Sequence, residues 1–378
     1  MTLIWLLAGE ASGDLLGARL MDALAQRVPE IAFAGVGGPR MGARGLESLF
    51  PFEELSLMGL VEVLPRLVHL RGRLRQAAAD IAARRPAAVV TIDSPGFALR
   101  LLREIRPLGV PRAHYVAPQV WAWREGRVRR FPGLWERLLC LLPFEPAFFA
   151  RHGLAATFVG HPVLESGLDG GDAGRFRATH GLPSGAPLLL VLPGSRPGEV
   201  ARHAGIFGAT LTGLIAAHPN LGVAVPATPA VRPMLGQALA DWPVRPIILE
   251  TDDAKPDAYA AASAALCKSG TSALELALAG VPMVIAYRLN PITGFIAHRL
   301  VKVPHASLVN LLAGREVVPE LLQERCTPEL LTGALSALFC DPREAAAQRA
   351  AFGPILASLA PPAGTPSEAA AEAVLGMI

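Results

Sequence analysis

The sequence predicts an α/β fold made of two halves, each built on a mostly parallel sheet. Short uninterrupted apolar runs recur along the chain, helical spacing of leucine and alanine follows them, and a Gly- and Asp-rich stretch lies near the middle. A run that is apolar without alternation marks a strand covered on both faces, as parallel sheets require.

Residues 3–8 form the first run, which stops at Gly9, and residues 12–26 then carry leucine and alanine at helical spacing. Residues 87–92 precede Asp93, residues 188–192 precede Pro193 and Gly194, and residues 283–287 repeat the pattern. Residues 167–174 and 182–187 are the linker candidate, so the expected domains are 1–166 and 167–351. A last helix within 352–378 is expected to pack back on the first domain.

A chain of 378 residues exceeds what one core usually supports, about 250–300 residues. With 52% hydrophobic and 18% charged residues the chain is not disordered. No apolar run nears the roughly 20 residues of a membrane span, and no basic leader opens the chain, so neither a span nor a signal peptide is expected. Four cysteines without CxxC spacing suggest a reducing compartment and no zinc site. The formal charge of +3 is too small to argue for nucleic acid, and all but Lys255, Lys268 and Lys302 of the 35 basic residues are arginines.

The candidate site residues cluster where strands end. In Gly9-Glu10-Ala11-Ser12-Gly13-Asp14 the glycine spacing fits neither a dinucleotide fingerprint nor a Walker A loop. Either Ser12 caps the helix with Asp14 in its first turn, or the loop lines a ligand crevice. Asp93, in Asp93-Ser94-Pro95-Gly96-Phe97, suits a general base or an Asx-turn. Gly194, Ser195 and Arg196 form either an anion-binding turn or a plain one. The helix expected after Lys268 and Ser269-Gly270-Thr271 offers unpaired N–H groups to a phosphate, while Ser272 and Glu275 match a capping box. Residues 57–75 mix Val61, Val63, Leu64, Leu67 and Leu70 with Arg71 and Arg73, which suits a membrane-surface element or a core helix with snorkelling arginines.

GEASGD at 9–14, DSPGF at 93–97, VWAWR at 120–124, LPFE at 142–145, FVGHP at 158–162, LPGSR at 192–196, SGTSALE at 269–275 and NLLAGRE at 310–316 together resemble the lipid-A-disaccharide synthase family over nearly the whole chain. The resemblance implies a GT-B-type glycosyltransferase, with two Rossmann-like domains across a cleft and the nucleotide sugar held mainly by the C-terminal one. It implies inverting transfer of 2,3-diacylglucosamine from UDP to the 6-hydroxyl of 2,3-diacylglucosamine 1-phosphate, giving a β-1,6 disaccharide. By position, Asp93 would be the base, Arg196 would steady the leaving diphosphate, and Asn310 would share the catalytic site. Gly194, Ser195, Ser269, Gly270 and Thr271 would meet the phosphates, and Glu275 the ribose. Glu10, Ser12, Asp14, Trp123 and Arg124 would line the acceptor side. Many relatives carry a second acidic residue where Gly96 stands, so no spare acid accompanies Asp93.

No DxD string precedes a candidate site, so metal independence and no cofactor are expected. The acyl chains of such substrates favour the membrane-surface reading of 57–75 and a peripheral place on the cytoplasmic face of the inner membrane. No nucleic-acid partner is expected, and a homodimer stays open. A UDP-sugar epimerase on the same fold and a non-catalytic membrane-surface binding protein are the alternatives.

Overall fold

The structure, a computed structural model, describes residues 2–55, 67–123, 125–289 and 303–378. The chain divides into two compact units, Met1–Glu165 with Leu359–Ile378, and Ser166–Ser358. The segment expected to return from residue 352 does so at Leu359, because the helix Pro342–Ser358 belongs whole to the second unit and buries Phe352 and Ile355.

The first unit carries a six-stranded parallel sheet of β1 (Thr2–Ala8), β2 (Ile31–Val36), β3 (Ala88–Ile92), β4 (Arg112–Tyr115), β5 (Arg137–Cys140) and β6 (Ala156–Phe158). Their order is β2-β1-β3-β4-β5-β6. Alternate residues of β1 serve opposite faces. Ile4 and Leu6 pack with Leu20, Leu24 and Val374 of the helices Ala11–Arg27 and Pro366–Leu375. Trp5 and Leu7 pack with Ile81 and Leu101 of the helices Leu67–Arg84 and Pro95–Glu104. Both faces are covered, and the strand is apolar throughout for that reason.

The second unit carries β7 (Leu188–Leu192), β8 (Gly222–Pro226), β9 (Ile247–Leu249), β10 (Ala264–Lys268), β11 (Met283–Tyr287) and β12 (Glu320–Leu322), in the order β12-β11-β10-β7-β8-β9. One helix among the described residues, Pro197–Ala217, is long and apolar enough by length and composition to cross a membrane. Its apolarity serves the core instead, since Val200, Phe207, Leu211 and Leu214 are buried among sheet residues.

Caps punctuate the helices as the residue types dictate. Asp172 accepts from the Arg175 N–H, and Thr365 with Glu368 closes a full capping box at the last helix.

Three buried titratable groups give the first unit a defined pH response. Burial pushes His114, whose Nδ1 lies 2.8 Å from the Thr91 hydroxyl, down to about 4, and does the same to His161. An unfolded imidazole takes up its proton near 6.5, so both groups remove stability as the pH falls from about 6.5 towards 4. Burial pushes Glu145 up to about 7, so its contribution is lost in the other direction, as the pH rises from about 4.5 to 7. Each contribution is about 3 kcal/mol at most, and the two imidazoles outweigh the one carboxyl. Stability of the first unit is therefore expected to fall from pH 7 to pH 5, and to fall roughly twice as far in Glu145→Gln, which removes the opposing group. Denaturant unfolding followed by tryptophan fluorescence checks this, because Trp5, Trp121, Trp123 and Trp135 lie in that unit and only Trp242 in the other. An equal fall in the variant would disprove the balance.

Candidate active site

In an open parallel sheet the two strands flanking a reversal of strand order send their following loops apart, which leaves a crevice at their carboxyl ends. The reversals fall between β1 and β3 in the first unit and between β7 and β10 in the second. The loops after these four strands begin with Gly9, Asp93, Pro193 and Ser269.

At the first crevice Gly9 touches the loop after β3. A Cβ on Gly9 would lie 2.6 Å from the Ser94 Oγ, so the glycine lets the two turns lie close to each other. Asp93 and Ser94 both hold left-handed backbone, with φ of 51° and 45°. At the end of neighbouring β4 the β-branched Val116 does too, with φ of 75°. Such conformations cost about 1–3 kcal/mol each and persist only where the surroundings enforce them. Here the Asp93 N–H donates to the Tyr115 carbonyl at 2.8 Å, and the Ser94 carbonyl accepts from the Phe97 and Ala98 N–H groups. The half-buried Asp93 is thus fixed by backbone at the end of β3, just before the helix Pro95–Glu104.

Glu10, not Ser12, is the N-cap residue of the helix Ala11–Arg27, and Ser12 lies exposed in its first turn. Asp14 is 2% exposed, and its oxygens accept from the N–H groups of Gly38, Arg40 and Met41 at 2.8–3.0 Å. Its carboxylate anchors the loop after β2.

Trp123 is 41% exposed, while Arg124 lies outside the described residues. The short helix Val120–Trp123 is held from beneath by Glu145, whose Oε1 accepts from the Trp121 Nε1–H at 3.0 Å. The Glu145 Oε2 accepts from the Leu141 and Leu142 N–H groups, so the LPFE motif builds a support for the VWAW motif. The FVGHP motif is structural as well. The His161 N–H donates to the Leu359 carbonyl, and Arg19 donates to the Pro162 and Glu165 carbonyls.

Of the residues read as membrane-facing, Val61, Val63 and Leu64 lie outside the described residues, as does the Leu67 side chain. Arg71 is exposed, with Val68 at 81% beside it. Leu70 packs against the core beneath the helix, and Arg73 donates twice to Glu54, at 2.6 and 2.7 Å, while lying over the Phe50 ring. A guanidinium committed to a carboxylate and a ring adds nothing to an outward cationic face. Between the helices Leu67–Arg84 and Pro95–Glu104 runs a cavity of about 330 Å³, lined by Leu70, Leu74 and Phe97 with Arg71, Arg100, Arg103 and Glu104.

At the second crevice Gly194 has φ of 141°, and Glu199 folds back under the turn. The Glu199 carboxylate accepts from the Ser195 N–H at 3.2 Å, lies 3.8 Å from Arg196 and makes a 3.0 Å salt bridge to Lys268 at the end of β10. Arg196 is the N-cap residue of the helix Pro197–Ala217 and is exposed. His203 braces the same turn, with Nδ1 at 2.9 Å from the Pro193 carbonyl and Nε2 accepting from the Arg288 N–H. Sequence reasoning missed the roles of Glu199, His203 and Lys268; a lysine closing a strand in a chain with three lysines was the available signal.

Ser269, Gly270 and the exposed Thr271 form the loop after β10, and the Ser269 hydroxyl donates to the Ala306 carbonyl. The capping box expected of Ser272 and Glu275 is absent: Thr271 is the N-cap residue, and it makes no side-chain cap bond. Glu275 turns instead to the Tyr259 hydroxyl at 3.4 Å, and burial raises its carboxyl above the ordinary range.

Asn310 is held by a network of hydrogen bonds. It is fully buried, its Nδ2 donates to Val318 O and Glu320 Oε1, and its Oδ1 accepts from the Val317 and Val318 N–H groups. Glu320 also accepts from the Ala306 and Ser307 N–H groups, so Asn310 acts on Ser269 only through that strap. Among the described residues no group of three His, Cys, Asp or Glu is placed to hold a metal ion.

The first crevice thus presents a carboxylate on a hydrogen-bonded backbone turn, the second a cationic turn facing a glycine-containing loop. The family model for lipid-A-disaccharide synthetase matches residues 4–373. The lipid-A-disaccharide synthase of Gluconobacter oxydans is 55% identical over 375 residues, covering 99% of this chain and 90% of the relative. That of Granulibacter bethesdensis is 52% identical, covering 100% and 98%. Among solved structures, the UDP-GlcNAc 2-epimerase of Neisseria meningitidis matches with a TM-score of 0.65 at 12% identity over the whole of both chains. The calicheamicin glycosyltransferase CalG4 matches at 0.60 and 18%, covering 100% of this chain and 98% of its own. At those identities the likeness is one of fold, the two-domain GT-B architecture. The extent and identity of the sequence matches decide the family: the chain belongs to the lipid-A-disaccharide synthetase family.

Proposed function

We propose that the protein transfers 2,3-diacylglucosamine from UDP to the 6-hydroxyl of 2,3-diacylglucosamine 1-phosphate, with inversion, forming a β-1,6 disaccharide and UDP. Family membership supports the substrate pair. The observation that carries the chemistry is the contrast between the two strand-order reversals, a carboxylate on a hydrogen-bonded backbone turn at one and a cationic turn at the other.

Asp93 takes the proton of the acceptor hydroxyl as its oxygen attacks the anomeric carbon from the face opposite UDP. The bond to the diphosphate breaks, and its charge is received by Arg196 and by the Ser269-Gly270-Thr271 loop. A preorganised donor aimed at such developing charge is worth about 3 kcal/mol of barrier. Glu275 accepts from the ribose hydroxyls. Glu10 and Ser12 meet the acceptor sugar, and Trp123 its apolar surroundings. The acyl chains call for work at a membrane surface, which the exposed Val68 and Arg71 and the apolar cavity beside them suit.

Purified protein given UDP-2,3-diacylglucosamine in detergent micelles is expected to release UDP only when the acylated sugar phosphate is added, in step with disaccharide formation. Consumption of the donor without any acceptor would instead indicate an epimerase or hydrolase and overturn this reading.

A further inference from the structure

We propose that Lys268 is a second cation of the diphosphate site, and that Glu199 is the positioning residue that holds it there. The inference rests on the nucleotide-sugar reading above and adds two residues to it.

Strands β7 and β10 are hydrogen-bonded neighbours, with Cys267 paired to Leu192, so Lys268 emerges level with Pro193 on the other side of the reversal. Its Nζ lies 3.0 Å from the Glu199 Oε1 and 5.5 Å from the Tyr287 ring centroid. A Cβ added to Gly270 would lie 3.6 Å from that Nζ, so the ammonium sits against the loop whose backbone faces the same crevice. The Glu199 side chain is only 9% exposed and that of Lys268 20%.

A carboxylate this buried needs compensation, and Glu199 receives it from one amide and two cations. The reverse does not hold. Arg196 and Lys268 together carry two positive charges against the single negative charge of Glu199, so the turn retains an excess positive charge at the mouth of the crevice. An ammonium has three donors, and among the described residues Glu199 is the only carboxylate in contact with Lys268. The remaining donors suit an anion with several oxygens, and a diphosphate is such an anion. Glu199 meanwhile links the loop after β7 to the last residue of β10, which fixes the spacing between the two sets of donors. Gly194 is required for that link, since a Cβ there would lie 2.5 Å from the Glu199 Cβ.

Calorimetric titration of the whole protein with UDP and, separately, with uridine tests the assignment. Lys268→Met, which keeps length and apolar stem, is expected to weaken UDP binding by about tenfold or more and to leave uridine binding unchanged. Lys268→Arg is expected to restore most of the loss. Glu199→Gln is expected to weaken UDP in the same selective way while the protein stays folded by circular dichroism. Unchanged UDP affinity in Lys268→Met, or an equal loss for uridine, would overturn the inference while leaving the transferase reading in place. A wild-type protein that does not bind UDP at all would overturn that reading first.

Discussion

Asp93→Asn is expected to lower the rate of acceptor-dependent UDP release by about 10²–10⁴-fold, the range typical for a lost general base. The reasoning begins with backbone, not with the carboxylate. Asp93 and Ser94 hold left-handed φ angles at the mouth of the first crevice, where most side chains are strained and asparagine is among the best tolerated. The substitution therefore keeps shape, hydrogen-bonding size and local conformation, and removes only the ability to take a proton. Steady-state kinetics with saturating donor would read the loss in kcat. UDP affinity, measured in the same preparation, is expected to stay at the wild-type value, because the groups assigned to the diphosphate lie in the second unit. Near-wild-type turnover in the variant would remove Asp93 as the base. A parallel loss of UDP affinity would mean that the change acts through folding.

The strands that position this site were readable because their physical cause is one-dimensional. Residues 188–192 and 283–287 are apolar without interruption, and β7 and β11 have those same bounds. The polar residues were harder, since a motif shows that a carboxylate or amide is present but not what consumes it. Asp14 looks like a ligand beside Gly13, yet it accepts from three backbone N–H groups of the loop after β2, more than twenty residues away. Arg73 reads as part of a cationic helical face, yet Glu54 claims it from a segment that the helical pattern does not cover. Glu275 shows the opposite error, because the sequence offered a complete local explanation and the structure does not use it. Each discrepancy involves a partner remote in sequence, to which periodicity and capping rules are blind.

Asn310 brings the largest structural cost into view. Asn310→Ala is expected to destabilise the second unit by about 4 kcal/mol, near the upper end for single substitutions. The side chain satisfies the N–H groups of Val317 and Val318, the Val318 carbonyl and one oxygen of Glu320. Alanine leaves these buried and half-buried groups without that partner, and an orphaned buried polar group costs about 1–3 kcal/mol. Relaxation of the segment around residues 317–320 recovers part of the sum. Asn310→Asp separates this account from one based on chemistry. Aspartate keeps an acceptor for the two amides but loses both donors and sets a second negative charge against Glu320, so it too is expected to destabilise at neutral pH. Denaturant unfolding followed at Trp242, which is packed in the core of the second unit, measures both variants. If both unfold within 1 kcal/mol of wild type, a threshold about the size of one ordinary hydrogen bond, while transfer is lost, Asn310 acts on the substrate and not through the strap that holds Ser269.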